Sequence, residues 1–293
     1  LEEHNSDLYE MLTEYFAYSD GDKDLWYRFE QNLANLDVDE ILSIAPNFMP
    51  NYGSEDFRDR DRYDFQHEME RYLEKLTTGL LEEFRSFIES AKIPPDAYKK
   101  KIKLDPSATF LNFNYTNTLQ ELYQIEDSQI NYIHNAASDQ DHQIILGHGI
   151  DPEQLKRSEP VPPPGLSGPE LSEWMDEQSD QYDHSYELGK DMIRGYFSAS
   201  FKNTIEIIEN NAQFFASLTN IEQVIVLGHS VSEVDTKYFA AVAASAPGCS
   251  WSASYFTDED RVRIIGALQD LGIDPIKISF FKIVDLVPEQ HTG

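Results

Sequence analysis

The spacing of apolar side chains divides the chain into amphipathic helices and short buried strands. From Asp61 to about Ser90, apolar residues fall at Phe65, Met69, Leu73, Leu76, Leu80, Phe84 and Phe87 or Ile88. These steps of three and four trace one helix face, and Pro94-Pro95 forbids its continuation. From about Ser185 to Leu218, Leu188, Met192, Tyr196, Phe197, Phe201, Ile205, Ile208 and Phe215 repeat the pattern and predict a second long helix. Both stripes read as core-packing faces. Asp7–Phe16 and Asp24–Leu36 predict shorter amphipathic helices.

Between and after these zones lie apolar runs bounded by turn formers, which predict buried strands. They are Thr109–Phe113, Ile130–His134, Gln143–Gly147, Val224–Gly228, Ser250–Phe256 and Ile276–Ile283. Helical patterns at Asn117–Tyr123, Glu233–Ala244 and Asp258–Leu271 separate several of them. Alternation of strand and helix predicts an α/β fold with a largely parallel sheet, flanking helices and a helical insertion. Ile130–His134 and Gln143–Gly147 are too close for a helical crossover, so they are expected as antiparallel neighbours or an edge excursion. Ser158–Pro169 holds five prolines and two glycines and reads as a loop or lid. The expectation is one domain over 1–293, with 1–104 mostly helical, 105–293 carrying the sheet, and 158–169 as the proline-rich loop.

Composition narrows the class. A hydrophobic fraction of 40% with 26% charged residues is that of a globular chain. No apolar run reaches the ~18 residues of a membrane span, and Leu1-Glu2-Glu3-His4 lacks a secretory signal pattern. The chain opens without Met, which fits processing or a fragment. A net charge of −30 disfavours nucleic acid, whose phosphates it repels. The only basic cluster, Lys99, Lys100, Lys101 and Lys103, reads as a solvated loop. Cys249 is the single cysteine, so no intramolecular disulfide or cysteine-rich zinc site can form, and it reads as a buried structural thiol in a reducing, cytoplasmic setting.

Ligands of open parallel sheets bind beyond the carboxyl ends of the strands, so the polar residues there are the candidates. The first strand is followed by Asn114-Tyr115-Thr116-Asn117, the second ends at His134-Asn135, the third at Gly147-His148-Gly149 and the fourth at Gly228-His229-Ser230, with Asp235 beyond. Amides and carboxylates suit ribose hydroxyls, and glycines let backbone N–H groups approach phosphate. The same residues also serve as local structure. Thr116 or Asn117 can cap the helix after the first strand, and Ser230 or Ser232 the one near Glu233.

Several blocks together resemble the AbiH family of bacterial phage abortive-infection proteins: Leu111–Leu119, Tyr132-Ile133-His134, Ile145–Gly149, Phe201-Lys202-Asn203-Thr204, Val226–Ser230 with Asp235, and Trp251–Phe256 running into Asp258-Glu259-Asp260. That family is in turn distantly similar to the sirtuin-like, Rossmann-like nucleotide-binding fold. The resemblance implies an NAD or related nucleotide pocket with Asn114 and His134 flanking the nicotinamide ribose. It further implies contacts from Thr116, Asn117, Gly228, His229, Ser230 and Asp235 to ribose or phosphate. Three departures stand out. Thr116 replaces a usual Asp, Asn135 replaces a usual Gly and restricts backbone approach, and no strand running into a Gly-Asn-Gly-Phe-Asp loop occurs in these 293 residues. The last departure gives the expectation of a truncated chain or of a different binding mode.

The resemblance implies NAD cleavage at the glycosidic bond, with Asn114 positioning the attacking water or ribose hydroxyl, His134 as general base and Asp235 orienting a neighbour. The alternative is a non-catalytic nucleotide-sensing or protein-interaction defence module. A metal-dependent hydrolase using His134, His142, His148, His229 and Asp235 and a nuclease toxin are further readings, although no zinc signature spacing is present and no metal is expected. The expected partners are a small nucleotide, a phage-derived trigger protein and a second copy of the chain, with neither nucleic acid nor membrane.

Overall fold

The computed structural model describes residues 5–16, 29–156, 160–180 and 182–288. Their contacts form two units. One comprises the described residues up to Phe84 together with Ile150–Phe201; the other comprises Arg85–Gly149 and the described residues from Lys202 on.

The first unit is helical. Asn5 caps the helix Ser6–Tyr15 by accepting the Leu8 N–H at 3.1 Å. The stripe read from Asp61 onward forms the helices Asp64–Glu74 and Leu80–Ser90, joined without a break through a π turn at Lys75–Gly79. Phe65, Met69, Leu76 and Leu80 are buried as their spacing predicts, Leu73, Phe84 and Ile88 are half-buried, and Phe87 is exposed. The helix His184–Arg194 packs on Asp64–Glu74. Gly189 is required there, because a Cβ would fall 2.3 Å from Cδ1 of Phe65. Phe65 in turn stacks on Tyr186 with centroids 5.8 Å apart.

The long helix predicted over Ser185–Leu218 is instead four helices, His184–Arg194, Tyr196–Ala199, Thr204–Asn210 and Ala212–Ser217. The chain leaves the helix at Gly195 and again at Ser200–Asn203, where Asn203 accepts the Glu206 N–H and caps a new start. Of the predicted stripe Tyr196 and Phe215 are buried and Ile205 is exposed, while Ile193 and Ile207 are buried beside the half-buried Met192 and Ile208, so each piece turns its own face inward. Residues 24–28 of the helix predicted over Asp24–Leu36 lie outside the described residues, and Phe29–Asn32 is helical. Gly168–Asp180 is a helix that the pattern did not predict; none of its described residues is buried, so it carries no core stripe. Of the proline-rich stretch, 160–167 is loop and turn, and Ser158 and Glu159 lie outside the described residues.

The second unit carries five strands: β1 Phe110–Asn112, β2 Ile130–Tyr132, β3 Gln223–Val226, β4 Ser250–Ser254 and β5 Ile278–Phe281. β1 and β2 pair in parallel, as do β3, β4 and β5 in that order. Val224, Val226, Trp251, Ala253, Ile278 and Phe280 face one core with the helices Thr236–Ser245 and Asp258–Asp270, and Leu111 of β1 joins it together with Phe113 and Ile133, just past β1 and β2. On the other face of the larger sheet, the Gln223 amide donates to Ser252 Oγ at 3.0 Å, and Ser252 pairs with Ser279 at 2.7 Å. Thr257 and Asp260 form a capping box that starts the helix after β4.

Five of six predicted strands are present, each shorter than its apolar run. The sixth, Gln143–Gly147, is not a strand and is no antiparallel neighbour of β2. Its Ile145 N–H donates to the His134 carbonyl at 2.9 Å, while the Tyr115 hydroxyl donates to the Ile145 carbonyl at 2.8 Å. A side-chain hydroxyl thus meets a backbone group that a ladder would otherwise serve. Cys249 is buried, and burial pushes its thiol up, as suits a structural side chain. No helix of the described residues is long and apolar enough to cross a membrane. The chain is a mixed α/β protein with small parallel sheets and many helices.

Candidate functional site

The ends of β1, β2 and β3 meet in the second unit around one carboxylate. Asp235 lies in a helical turn after β3, with its side chain 9% exposed. Its Oδ1 accepts from Lys202 Nζ at 3.0 Å, and its Oδ2 from the Ser232 hydroxyl at 3.1 Å. His229 Nε2 stands 3.4 Å from Oδ2. His229 Nδ1 accepts the Val231 N–H at 2.8 Å, which places the imidazole proton on Nε2, facing the carboxylate. Burial pulls the Asp235 pKa up. The His229 hydrogen bond and then the Lys202 charge outweigh it and hold the carboxyl below its usual range.

His134, just past β2, is sealed, with its side chain 4% exposed. It hydrogen-bonds the backbone of Phe113, and its Nε2 has no hydrogen-bond partner among the described residues. Burial, then the Lys202 charge, lowers its pKa to about 3, against the opposing pull of Asp235. The 3.8 Å approach of Nε2 to Asp235 Oδ1 is therefore not an ion pair, since the imidazole is neutral at physiological pH. Aromatic rings close the site. Phe113 lies 4.3 Å from His229 and 5.4 Å from Phe239, and Tyr238 lies 5.4 Å from His134, centroid to centroid.

Lys202 is the residue that sequence reasoning missed. Its side chain is 0% exposed, and its backbone N–H donates to the His148 carbonyl at 2.8 Å. Named only within the block Phe201-Lys202-Asn203-Thr204 and expected inside a long helix, it instead occupies the gap between two short helices. The available signal was a lysine flanked by Phe201 and Asn203, a helix-capping residue.

The structure brings His134, His229 and Asp235 together, and it places the other candidates around them differently. Asn114 is exposed, and its backbone N–H donates to Asn112 Oδ1 at 3.0 Å. Thr116 pairs with Thr118 at 2.9 Å, and Asn117 accepts from Ser138 at 2.9 Å. Gly228 adopts φ +66 and gives its N–H to Ser254 Oγ at 2.8 Å. The Ser230 carbonyl accepts from the Arg263 guanidinium. Val231 sits at φ +50, a conformation that a β-branched residue adopts only under constraint. Asn135 takes φ +61 and holds the Gln143 carbonyl at 2.7 Å. Asparagine tolerates this region, so the turn forms without a glycine. His142 lies apart, exposed and paired with Asp139 at 2.9 Å. Among the described residues, no group of three or more His, Cys, Asp or Glu is arranged to hold a metal ion.

A sequence model of the family described as bacteriophage abortive infection AbiH matches residues 1–255. The chain belongs to the AbiH family. The match takes in β1 to β4 and every residue of the Lys202–Asp235 cluster, and it gives this AbiH protein a role in abortive infection by bacteriophage. The chain finds no match among curated proteins or solved structures.

Proposed function

We propose that this AbiH protein acts in phage defence by binding an NAD-like nucleotide at the carboxyl ends of β1, β2 and β3. The observation that carries the reading is the convergence of these strand ends on Asp235, in the position where parallel sheets bind ligands. The strand orders β2-β1 and β3-β4-β5, all parallel, also suit a Rossmann-like arrangement whose ligand lies between β1 and β3. The residues fit such a group in part. Exposed Asn114 can meet the sugar, and Thr116, Asn117 and Ser230 offer further polar groups beyond the same strand ends, whereas the orphaned His134 Nε2 is buried beneath them. Gly228 leaves room for phosphate, because an added Cβ there would meet only Ile283 Cδ1, at 3.8 Å. A bound NAD would supply a glycosidic bond with a good leaving group.

Binding without cleavage is the better-supported reading. A base that activates water must touch it, and His134 is sealed. Cleavage is a second reading, in which the same unpartnered Nε2 serves as base once the site opens to water and relieves the burial that depresses it. In that case Asn114 positions the attacking oxygen and Asp235 steadies the charge that forms on His134.

Incubation with NAD, ADP-ribose and ATP, followed by thermal unfolding and by chromatography of free nicotinamide, separates the readings. A raised melting temperature with no nicotinamide supports binding. Nicotinamide release that disappears in His134→Ala supports cleavage. No thermal shift with any of the three nucleotides removes the nucleotide reading altogether.

A further inference from the structure

The helical unit contains a cavity of about 330 Å³ that no part of the nucleotide reading uses. Leu36, Val38, Leu155 and Phe197 give it apolar walls, while Arg194, Asp37 and Asn35 supply its polar groups. Arg194 closes the helix His184–Arg194, where the carbonyl end of the helix favours a cation. Asp37 caps the helix Val38–Leu42, its Oδ1 accepting the Glu40 N–H at 3.0 Å, and its own N–H donates to the Tyr15 carbonyl at 2.7 Å. These bonds fix the Asp37 backbone and one carboxylate oxygen and leave Oδ2 for another partner. Among the described residues no ion pair joins Arg194 to Asp37, although both line the same cavity.

Two opposite charges that share an apolar cavity without neutralising each other select a particular kind of ligand. A simple anion would face Asp37, and a simple cation would face Arg194. A zwitterion with an apolar side chain satisfies both. We propose that this cavity binds a free apolar α-amino acid, with its carboxylate on Arg194, its ammonium on Asp37 and its side chain against Leu36, Val38, Leu155 and Phe197. The size agrees, since a cavity of ~150 Å³ holds a benzene ring, and small-molecule sites begin near ~300 Å³.

L-phenylalanine is the probe, with hydrocinnamate (no ammonium) and phenethylamine (no carboxylate) as its two halves. Calorimetric titration into the whole chain is expected to show saturable binding of L-phenylalanine and binding at least about tenfold weaker for either half. Arg194→Gln and Asp37→Asn each remove one charge, and Asn keeps the side-chain oxygen that caps the helix, so the fold is retained. Both variants are expected to melt as the parent does and to bind L-phenylalanine about tenfold or more weakly. Absence of binding at millimolar L-phenylalanine overturns the proposal. So does hydrocinnamate binding as tightly as the amino acid, or parental affinity in both variants.

Discussion

The two units bury different chemistry. The helical unit seals Phe65, Met69, Leu76, Ile193 and Tyr196, and its buried polar side chains are the hydroxyls of Ser185 and Ser200. The sheet-bearing unit seals a lysine, an aspartate and two histidines, at Lys202, Asp235, His134 and His148. Apolar packing alone evidently suffices to hold a unit of this size. A buried ion pair gives up hydration that its mutual attraction only partly restores, and similar volumes of apolar side chain often stabilise as well or better. The cluster at the strand ends is therefore not explained by stability alone. Its rigidity points the same way: Asp235 is held from Lys202, Ser232 and His229, while a strained Val231 bridges the turn between them.

The sharpest way to break this contrast is to remove one partner from the buried pair. Lys202→Met leaves the Asp235 carboxylate sealed without its cation and is expected to cost about 3–5 kcal/mol in denaturant unfolding. A loss under 1 kcal/mol would mean that the pair is solvated and the contrast is lost.

Acid should act on the sheet-bearing unit next. His134 is depressed to about 3, and Asp235 is held below the carboxylate range. In both cases the unfolded chain takes up protons before the folded one does. The stability they contribute is thus present at neutral pH. It declines as pH falls, from about 6.5 for His134 and from about 3.9 for Asp235. Hydrogen exchange followed between pH 7 and 4 is expected to loosen β2 and β3 before the helices Asp64–Glu74 and His184–Arg194, and His134→Gln should flatten that dependence. Equal loosening of both units would show that the buried imidazole is not the sensitive group.

A smaller effect belongs to the helical unit. Gly189→Ala drives a methyl into the Phe65 ring and is expected to cost about 1–3 kcal/mol, with exchange rising around both helices. An unchanged midpoint would mean that these helices slide apart easily and that apolar fit is not what orders them.

Much of this was legible from spacing. Buried strands announce themselves as apolar runs, and the helix face at Phe65, Met69, Leu76 and Leu80 follows directly from steps of three and four. Reading the polar residues at strand ends picked out His134, His229 and Asp235, which the fold brings together. What failed depends on partners distant in sequence. Ile144-Ile145-Leu146 has the composition of a strand, but whether it becomes one depends on a free neighbouring edge, and Tyr115 takes the Ile145 carbonyl instead. Lys202 lies 33 positions from Asp235, and no local periodicity encodes a pairing of that kind. The helix breaks near Gly195 and Asn203 were visible as residue types, but they were hidden under an apolar rhythm that continues across them.

One feature of the chain path bears on how the protein is made. The sheet-bearing unit is written in two instalments, 85–149 and 202 onward, with a segment of the helical unit between them. During synthesis β1 and β2 emerge first, as two three-residue strands that cannot stand alone in water. Their partners in the core, Val226, Trp251 and Ala253, and the carboxylate that faces His134 leave the ribosome only some ninety or more residues later, at roughly 5–20 residues per second. For several seconds the nascent chain therefore displays an unfinished parallel edge and apolar side chains with nowhere to go. A chaperone requirement, or aggregation when translation stalls between β2 and β3, is the natural cost of such an interleaved order.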